Sequence, residues 1–395
     1  MRHLKPIRPY LHLVTGGRRG HMYSLRRMDA SRLFYPSAAE AEAAGAFELG
    51  ADAVARLPRS ELERGIHFQP PADDDFWSQE VFARLGGGGS RVLCADASGH
   101  AAVYDAEARS FVGMPAMTSL KEQYLAVSVP RAGGGRHAYG WVDDDDNRGL
   151  RAHDLYVLDT LRNGKDKCFF EVLAYHGDRV GWKWTPLPPP PFLCGPKQGL
   201  YPGKREQRIR GATSEWSRSG DWALQFSGKA EHVPELGLWF AMSRTSLSRS
   251  GLYALDLSAA AGAEGDASYP PPALCDVGFD LELPDGWFLF NHAVASLGAG
   301  RLCVARFFLI MKQEHMYDNP IGVFTGVELV TGDDGRLRVI EHKSELKRPL
   351  VLFHRECGKV ALKFLIKHAY RKSNHELEKL VKLNYIYTPF FVNRI

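Results

Sequence analysis

The apolar residues of this chain fall in short runs that alternate with polar positions and end at Gly, Pro, Asp or Ser, the period-two pattern of antiparallel strands. The stretch "SRVLCADASGHAAVYD" (90–105) reads as a hairpin with Ser98-Gly99 at its turn, and "GVFTGVELVTGDDGRLRVIEHKSE" (322–345) as another around Asp334-Gly335. "GRLCVARFFLI" (300–310) reads as one long strand, and "YLHLV" and "HMYSLRRMD" pair as a hairpin around Gly16-Gly17. Before residue 350, helical periodicity is confined to the Ala-rich "SAAEAEAAGAFELGADAVARL" (37–57), read as a surface insertion that is helical in part. The pattern predicts an all-β fold.

One phrase recurs. "HAAVYDAEARSFVGMPAM" (100–117) is an apolar strand ending in Tyr104 and Asp105, then a polar turn, the aromatic Phe111 and a small-residue tail. "DLYVLD" (154–159) and "GLYALD" (251–256) repeat the strand, with Tyr156 ahead of a closing Asp159 and Tyr253 ahead of Asp256. The closing aspartates lie 54 and 97 residues apart, which fits one period near 50 with a single copy absent. A propeller blade of four short antiparallel strands occupies roughly 40–50 residues. In such a unit the closing carboxylate accepts backbone N–H groups of its turn, and the aromatic, here Phe111, begins the next strand and packs between blades. The phrase resembles the ending of a kelch repeat. The spacing therefore predicts a kelch-like β-propeller of five to seven blades, six preferred and one incomplete, closed by pairing the N-terminal hairpin with the strands near 323–345.

Longer phrases carry a resemblance. "YSLRRMDASRLFYPSAAEAEAA" (23–44), "WKWTPLPPPPF" (182–192), "WSRSGDWALQFSGKAEHVPELGLWFAMS" (216–243) and "VFTGVELVTGDDGRLRVIEHKSE" together resemble the cereal-grass proteins that carry the domain of unknown function called 1668, over roughly residues 10–347. The resemblance implies a propeller-like plant protein with no established activity or catalytic residues. Two departures stand out. Family members carry a further strand pair before the Trp of "WSRSGDW", whereas "GKREQRIRGATSEW" (203–216) runs directly into Trp216, with Arg210 where an Asp is expected. The missing pair falls where the repeat lacks a copy. The second departure is "KVALKFLIKHAYRKSNHELEKLVKL" (359–383), which turns helical behind a Ser373 and Glu376 capping box. The expected organisation is a propeller over 1–349 and a basic helical tail over 350–395.

Composition narrows the class. With 45% apolar and 24% charged residues the chain has the make-up of an ordinary globular protein. The formal charge of +4 is concentrated in the tail, where nine Lys or Arg face three acids, so the body is not a basic nucleic-acid binder. The longest apolar stretch, "LCVARFFLIM" (302–311), is broken by Arg306 and too short for a membrane helix. Seven basic residues precede Asp29, but this segment reads as a hairpin rather than a targeting peptide. The six cysteines form no C-x-x-C pair, and those in apolar runs (Cys94, Cys168, Cys275, Cys303) read as free thiols packed as small hydrophobes. A reducing, intracellular compartment follows, cytoplasmic or nuclear.

The candidate chemistry is sparse. "WVDDDDNRG" (141–149) and "PADDDFW" (71–77) lack the ligand spacing of calcium loops, and "LGGGGSR" (85–91) lacks the Lys-Ser/Thr of a phosphate loop. "GPKQGLYPGKREQRIRG" (195–211) sets Lys197, Lys204, Arg205, Arg208 and Arg210 around Tyr201, a candidate interaction loop for an acidic peptide or RNA. The tail places Lys359, Lys363, Lys367 and Arg371 at steps of four beside an apolar stripe, a pattern that suits a partner groove or anionic membrane. No triad, zinc set or nucleophile elbow is present in the linear sequence, and His292 and His342 read as structural or surface residues. No cofactor is implied. The leading expectation is a monomeric, non-catalytic protein-interaction scaffold. The alternatives are a propeller enzyme with a central-channel site, hydrolase or oxidoreductase, and a substrate-recognition subunit of a ubiquitin ligase.

Overall fold

The computed structural model describes residues 10–16, 23–45, 66–68, 81–86, 90–96, 98–119, 121, 124–131, 151–159, 170–189, 207–210, 215–218, 230–244, 250–257, 274–279, 287–312, 315–316, 321–332 and 335–347. The fold is all-β. Five sheets of three or more antiparallel strands are the blades of a β-propeller, and one short helix accompanies them among the described residues. The expected tail (350–395) and the acidic loops lie outside the described residues. The strands divide between two compact units, one spanning 69–218 and the other joining 1–68 with 219–392.

In the unit spanning 69–218, β4 (Val81–Arg84), β5 (Arg91–Ala95), β6 (Ala101–Asp105) and β7 (Ser110–Met114) form one blade in sequence order. The second consists of β8 (Tyr124–Pro130), β9 (His153–Asp159), β10 (Phe170–Tyr175) and β11 (Trp182–Pro186). β5 is buried on both faces through Val92, Leu93, Cys94 and Ala95, so its apolar run does not alternate. Among the described residues, strands β12 (Gln207–Arg210) and β13 (Glu215–Arg218) pair only with each other, with Ile209 opposite Trp216 and Arg210 opposite Glu215.

In the other unit, β1 (Tyr10–Gly16), β2 (Tyr23–Asp29) and β3 (Ile66–Phe68) make a three-stranded sheet. A four-stranded sheet follows from β14 (Glu231–Val233), β15 (Leu238–Arg244), β16 (Ser250–Leu255) and β17 (Leu274–Asp276). The last sheet is built from β18 (Trp287–Gly298), β19 (Arg301–Lys312), β21 (Ile321–Thr331) and β22 (Leu337–Lys347), with the short β20 (His315–Met316) against β19. Its period-two pattern feeds two cores. Val294, Leu302, Val304 and Val327 pack with Val233, Phe240, Met242 and Leu252, while Ala295, Cys303, Ala305, Phe307 and Phe324 pack with Leu11, Met28, Leu33 and Phe34. Each fully buried aliphatic or aromatic side chain contributes about 1.5–3 kcal/mol, so this sheet is held from both sides.

The Ala-rich segment holds one helix among the described residues, α1 (Ala38–Ala44), whose first turn is capped by Ser37 Oγ, which accepts the Glu40 amide and donates to the Glu40 carboxylate, and which stops at Gly45, φ 73°. Closure by strand pairing between the N-terminal hairpin and 323–345 is not what the structure shows. β1 bonds to β2 and β22 to β21, and the segment after β2 instead lies on the last sheet through side-chain packing. The segment already carries its own short-range bonds, Phe34 N–H to the Ser31 carbonyl and Ser31 N–H to Asp29 Oδ1, which make a 3-10 turn over Ala30–Leu33 rather than a strand.

Candidate interaction surface

The closing phrase builds a rigid hairpin at the outer side of the first blade. Asp105 Oδ1 accepts the amides of Glu107 and Ala108 at 2.9 and 3.0 Å, and Arg91 Nε donates to Oδ2 at 2.8 Å. Burial by itself pushes the Asp105 carboxyl up, but the Ala108 amide, Arg91 and the Glu107 amide together hold it below the ordinary value. Arg109 completes the turn with φ 52°. Across the hairpin Tyr104 faces Phe111, ring centroids 5.0 Å apart. Tyr104 is 6% exposed, whereas Phe111 is 50% exposed and therefore lies at the surface, not between blades.

β7 is the last strand of its sheet, so among the described residues one row of its backbone groups has no strand beside it. Ser110, Phe111, Val112 and Gly113 are all exposed, which opens both faces of the strand. Val112 is 55% exposed, and a Cβ at Gly113 would meet nothing within 4 Å. Natural edge strands are guarded by charge, proline or a bulge, and Ser110–Met114 carries no charged residue or proline and pairs with β6 without a register shift.

Behind this edge the chain from 115 to 121 is tied to the second blade. Trp184 Nε1 donates to the Pro115 carbonyl at 2.9 Å, and the Thr118 amide donates to Glu171 Oε2 at 3.0 Å. Lys121 Nζ donates to Glu171 Oε1 at 2.5 Å, to the Ser119 carbonyl at 3.1 Å and to Ser119 Oγ at 3.2 Å. Both side chains of the Lys121 and Glu171 pair are 0% exposed. Tyr124 joins the two blades directly, its hydroxyl accepting the Phe82 amide at 2.7 Å and donating to the Phe82 carbonyl at 3.2 Å. The bonds of Lys121 with Glu171 and of Tyr124 with Phe82 are buried, and the whole set serves to fix the two blades.

The repeat residues do not occupy equivalent places. Asp105 ends the third strand of its blade and Asp256 follows the third strand of its own, but Asp159 ends the second strand and is fully buried. Tyr156 stacks on Phe170 of the adjacent strand at 6.0 Å, and Tyr253 pairs with Asp276 and Ala241 across its neighbours. Of the basic cluster, Arg208 and Arg210 lie on β12, and Lys197, Tyr201, Lys204 and Arg205 lie outside the described residues. Trp216 lies on β13. Cys94 and Cys303 are buried free thiols, burial pushing Cys94 up to about 12 and Cys303 higher still. Cys275 is exposed, contrary to its apolar surroundings in sequence, and Cys168 lies outside the described residues. Among the described residues no three His, Cys, Asp or Glu side chains gather in a way that could hold a metal, and no helix is long and apolar enough to cross a membrane.

A second polar cluster went unrecognised in the sequence. The register between β21 and β22 shifts at Gly326, where one residue of β21 faces His342 and Lys343 of β22. His342 sits at this bulge and is buried like Ile340 two residues before it, its side chain 0% exposed. His342 Nε2 lies 3.0 Å from Glu328 Oε2, and its Nδ1 accepts the Tyr35 amide at 3.1 Å. Phe34 and Tyr35 flank the ring at 5.0 and 6.3 Å. Its partner Tyr35 is 307 residues away, which no local motif reveals.

Residues 8–211 and 211–347 match the family described as "Protein of unknown function (DUF1668)". The chain belongs to that family. The two matched segments meet at 211, between β12 and β13, which form a two-stranded sheet among the described residues. The match ends at 347, with the end of β22. No curated protein matches the chain.

Proposed function

We propose that this protein is a non-catalytic interaction scaffold that takes an extended segment of a partner protein along the outer edge of β7. The reading rests on that edge, a strand with apolar Phe111 and Val112 exposed, lacking the usual guards and mounted on a turn fixed by Asp105. Strand addition suits it because main-chain hydrogen bonds supply affinity and the alternating side chains supply selectivity. The fully enclosed Lys121 and Glu171 pair, which ties the segment behind this edge to the second blade, supports a rigid docking role. We further infer that β12 and β13 stand for a sixth, incomplete blade of kelch-like character, and that 350–395 is a separate basic helical tail. A reducing cytoplasmic or nuclear compartment is consistent with the free thiols of Cys94 and Cys303.

Photo-crosslinking tests the assignment. A photoreactive side chain at Val112 should capture partner chains, with the crosslinked peptide lying in an extended segment. The same group at Val180, 61% exposed in the turn between β10 and β11, should not. Equal capture at the two positions would refute the β7 edge as the docking element.

A further inference from the structure

We propose that Asp29–Tyr35 is a strap released by protonation of His342, so that a proton controls access to the apolar face of the last sheet. The strap sits on that sheet through Leu33 and Phe34, which share a core with Phe307 and Phe324. Its backbone rests directly on Gly326, where an added Cβ would fall 2.2 Å from the Leu33 carbonyl oxygen. Its one hydrogen bond to the imidazole is Tyr35 N–H to His342 Nδ1. That bond requires a lone pair on Nδ1, so the ring proton sits on Nε2 and is donated to Glu328.

Adding a proton at Nδ1 converts this acceptor into a donor that faces the Tyr35 donor at 3.1 Å. The imidazolium could keep Glu328 but not the strap. The charges around the ring come from each packed element. Glu328 of β21 favours the cation, Arg301 of β19 and Lys343 of β22 oppose it, and burial opposes it most, so the folded ring takes a proton only below its ordinary value. Arg32 of the strap pairs with Glu345 at 3.1 Å, and Glu42 of α1 lies 3.4 Å from Arg338, so neither directly neutralises His342. Arg301 also lies over the Phe34 ring at 4.9 Å and Lys343 over Tyr35 at 4.7 Å, contacts that hold the strap while the ring is neutral. Opening relieves the donor conflict and hydrates the ring, and the protonated state therefore favours the open strap.

Amide hydrogen exchange on the full chain tests this between pH 7.5 and 4.5, with rates corrected for the intrinsic pH dependence of exchange. The expected result is that the opening equilibrium of amides in 30–36 rises about tenfold per pH unit below roughly 6.5, until the folded ring itself titrates, while β19 amides keep their protection. In H342Q the strap's pH dependence should disappear. In E328Q, which removes the charge that favours the imidazolium, the levelling-off should move to lower pH. The proposal is overturned if strap protection does not change with pH, if H342Q keeps the wild-type dependence, or if strap and β19 lose protection together. If H342Q does not fold, E328Q decides: a levelling-off unmoved from wild type also overturns it.

Discussion

Replacing Lys121 with Met removes an ammonium whose three donors meet Glu171 and two oxygens of Ser119, at a site with no exposed surface. What remains is a buried carboxylate with the Thr118 amide on one oxygen and no counter-charge at the other. Breaking one side of such a pair costs about 3–5 kcal/mol, because the surviving charge has been taken out of water without compensation. Against a total stability of about 5–15 kcal/mol this is a large fraction, and it should lower Tm by about 6–20 °C. E171Q should cost a similar amount by stranding the ammonium. The double variant K121M/E171M removes both charges and leaves the Thr118 amide without this acceptor and the Ser119 carbonyl and hydroxyl without this donor, a loss of about 1–3 kcal/mol. Urea unfolding of wild type, K121M, E171M and K121M/E171M gives the coupling energy, expected to exceed about 2 kcal/mol. A K121M protein within about 0.5 kcal/mol of wild type, or two single losses that simply add, would refute the claim that the pair is held as a desolvated unit.

Three further outcomes follow from the same geometry. G326A should cost about 1–3 kcal/mol and strip hydrogen-exchange protection from 30–36, since its Cβ would collide with backbone of Leu33 that cannot rotate away. D105A should cost about 1–2 kcal/mol in chemical denaturation by freeing two turn amides and Arg91. Because the folded Asp105 carboxyl lies below its ordinary value, its contribution is present above about pH 4 and lost as pH falls through the folded value, so D105A should flatten that acid limb. His12 is buried with no hydrogen bond to either ring nitrogen among the described residues, and burial, aided by Arg27, pushes it down to about 4. The unfolded chain then binds the proton more readily, and stability should fall by about 3 kcal/mol between pH 6.5 and 4, a slope that H12L removes in urea titrations at the two pH values.

Local features of this protein were legible because their causes are local. Ser98-Gly99 turns the chain at φ 90° for Gly99, and the alternating runs on either side form β5 and β6 as the period predicts. The hairpins of 10–29 and 322–345 follow the same rule. What the phrase around Asp105 could not reveal is which strand of a blade it occupies. "DLYVLD" carries the same pattern as "GLYALD", yet lies on the second strand rather than the third, because an up-and-down sheet accepts an apolar strand with a polar end at either place. Exposure of Phe111 likewise depends on what covers β7, and its own sequence is silent on that.

The sequence by itself determined the strand-forming segments, their turns and the all-β class, since side-chain alternation and turn chemistry act over a few residues. Tertiary structure alone decided the sealed Lys121 and Glu171 pair, the contact of His342 with Tyr35, and the position of β7 as the last strand of its sheet among the described residues. Those arise where segments 50 and 307 residues apart are brought together, or from the place of a strand in its sheet, and burial and register are properties of the assembled sheets rather than of any one strand.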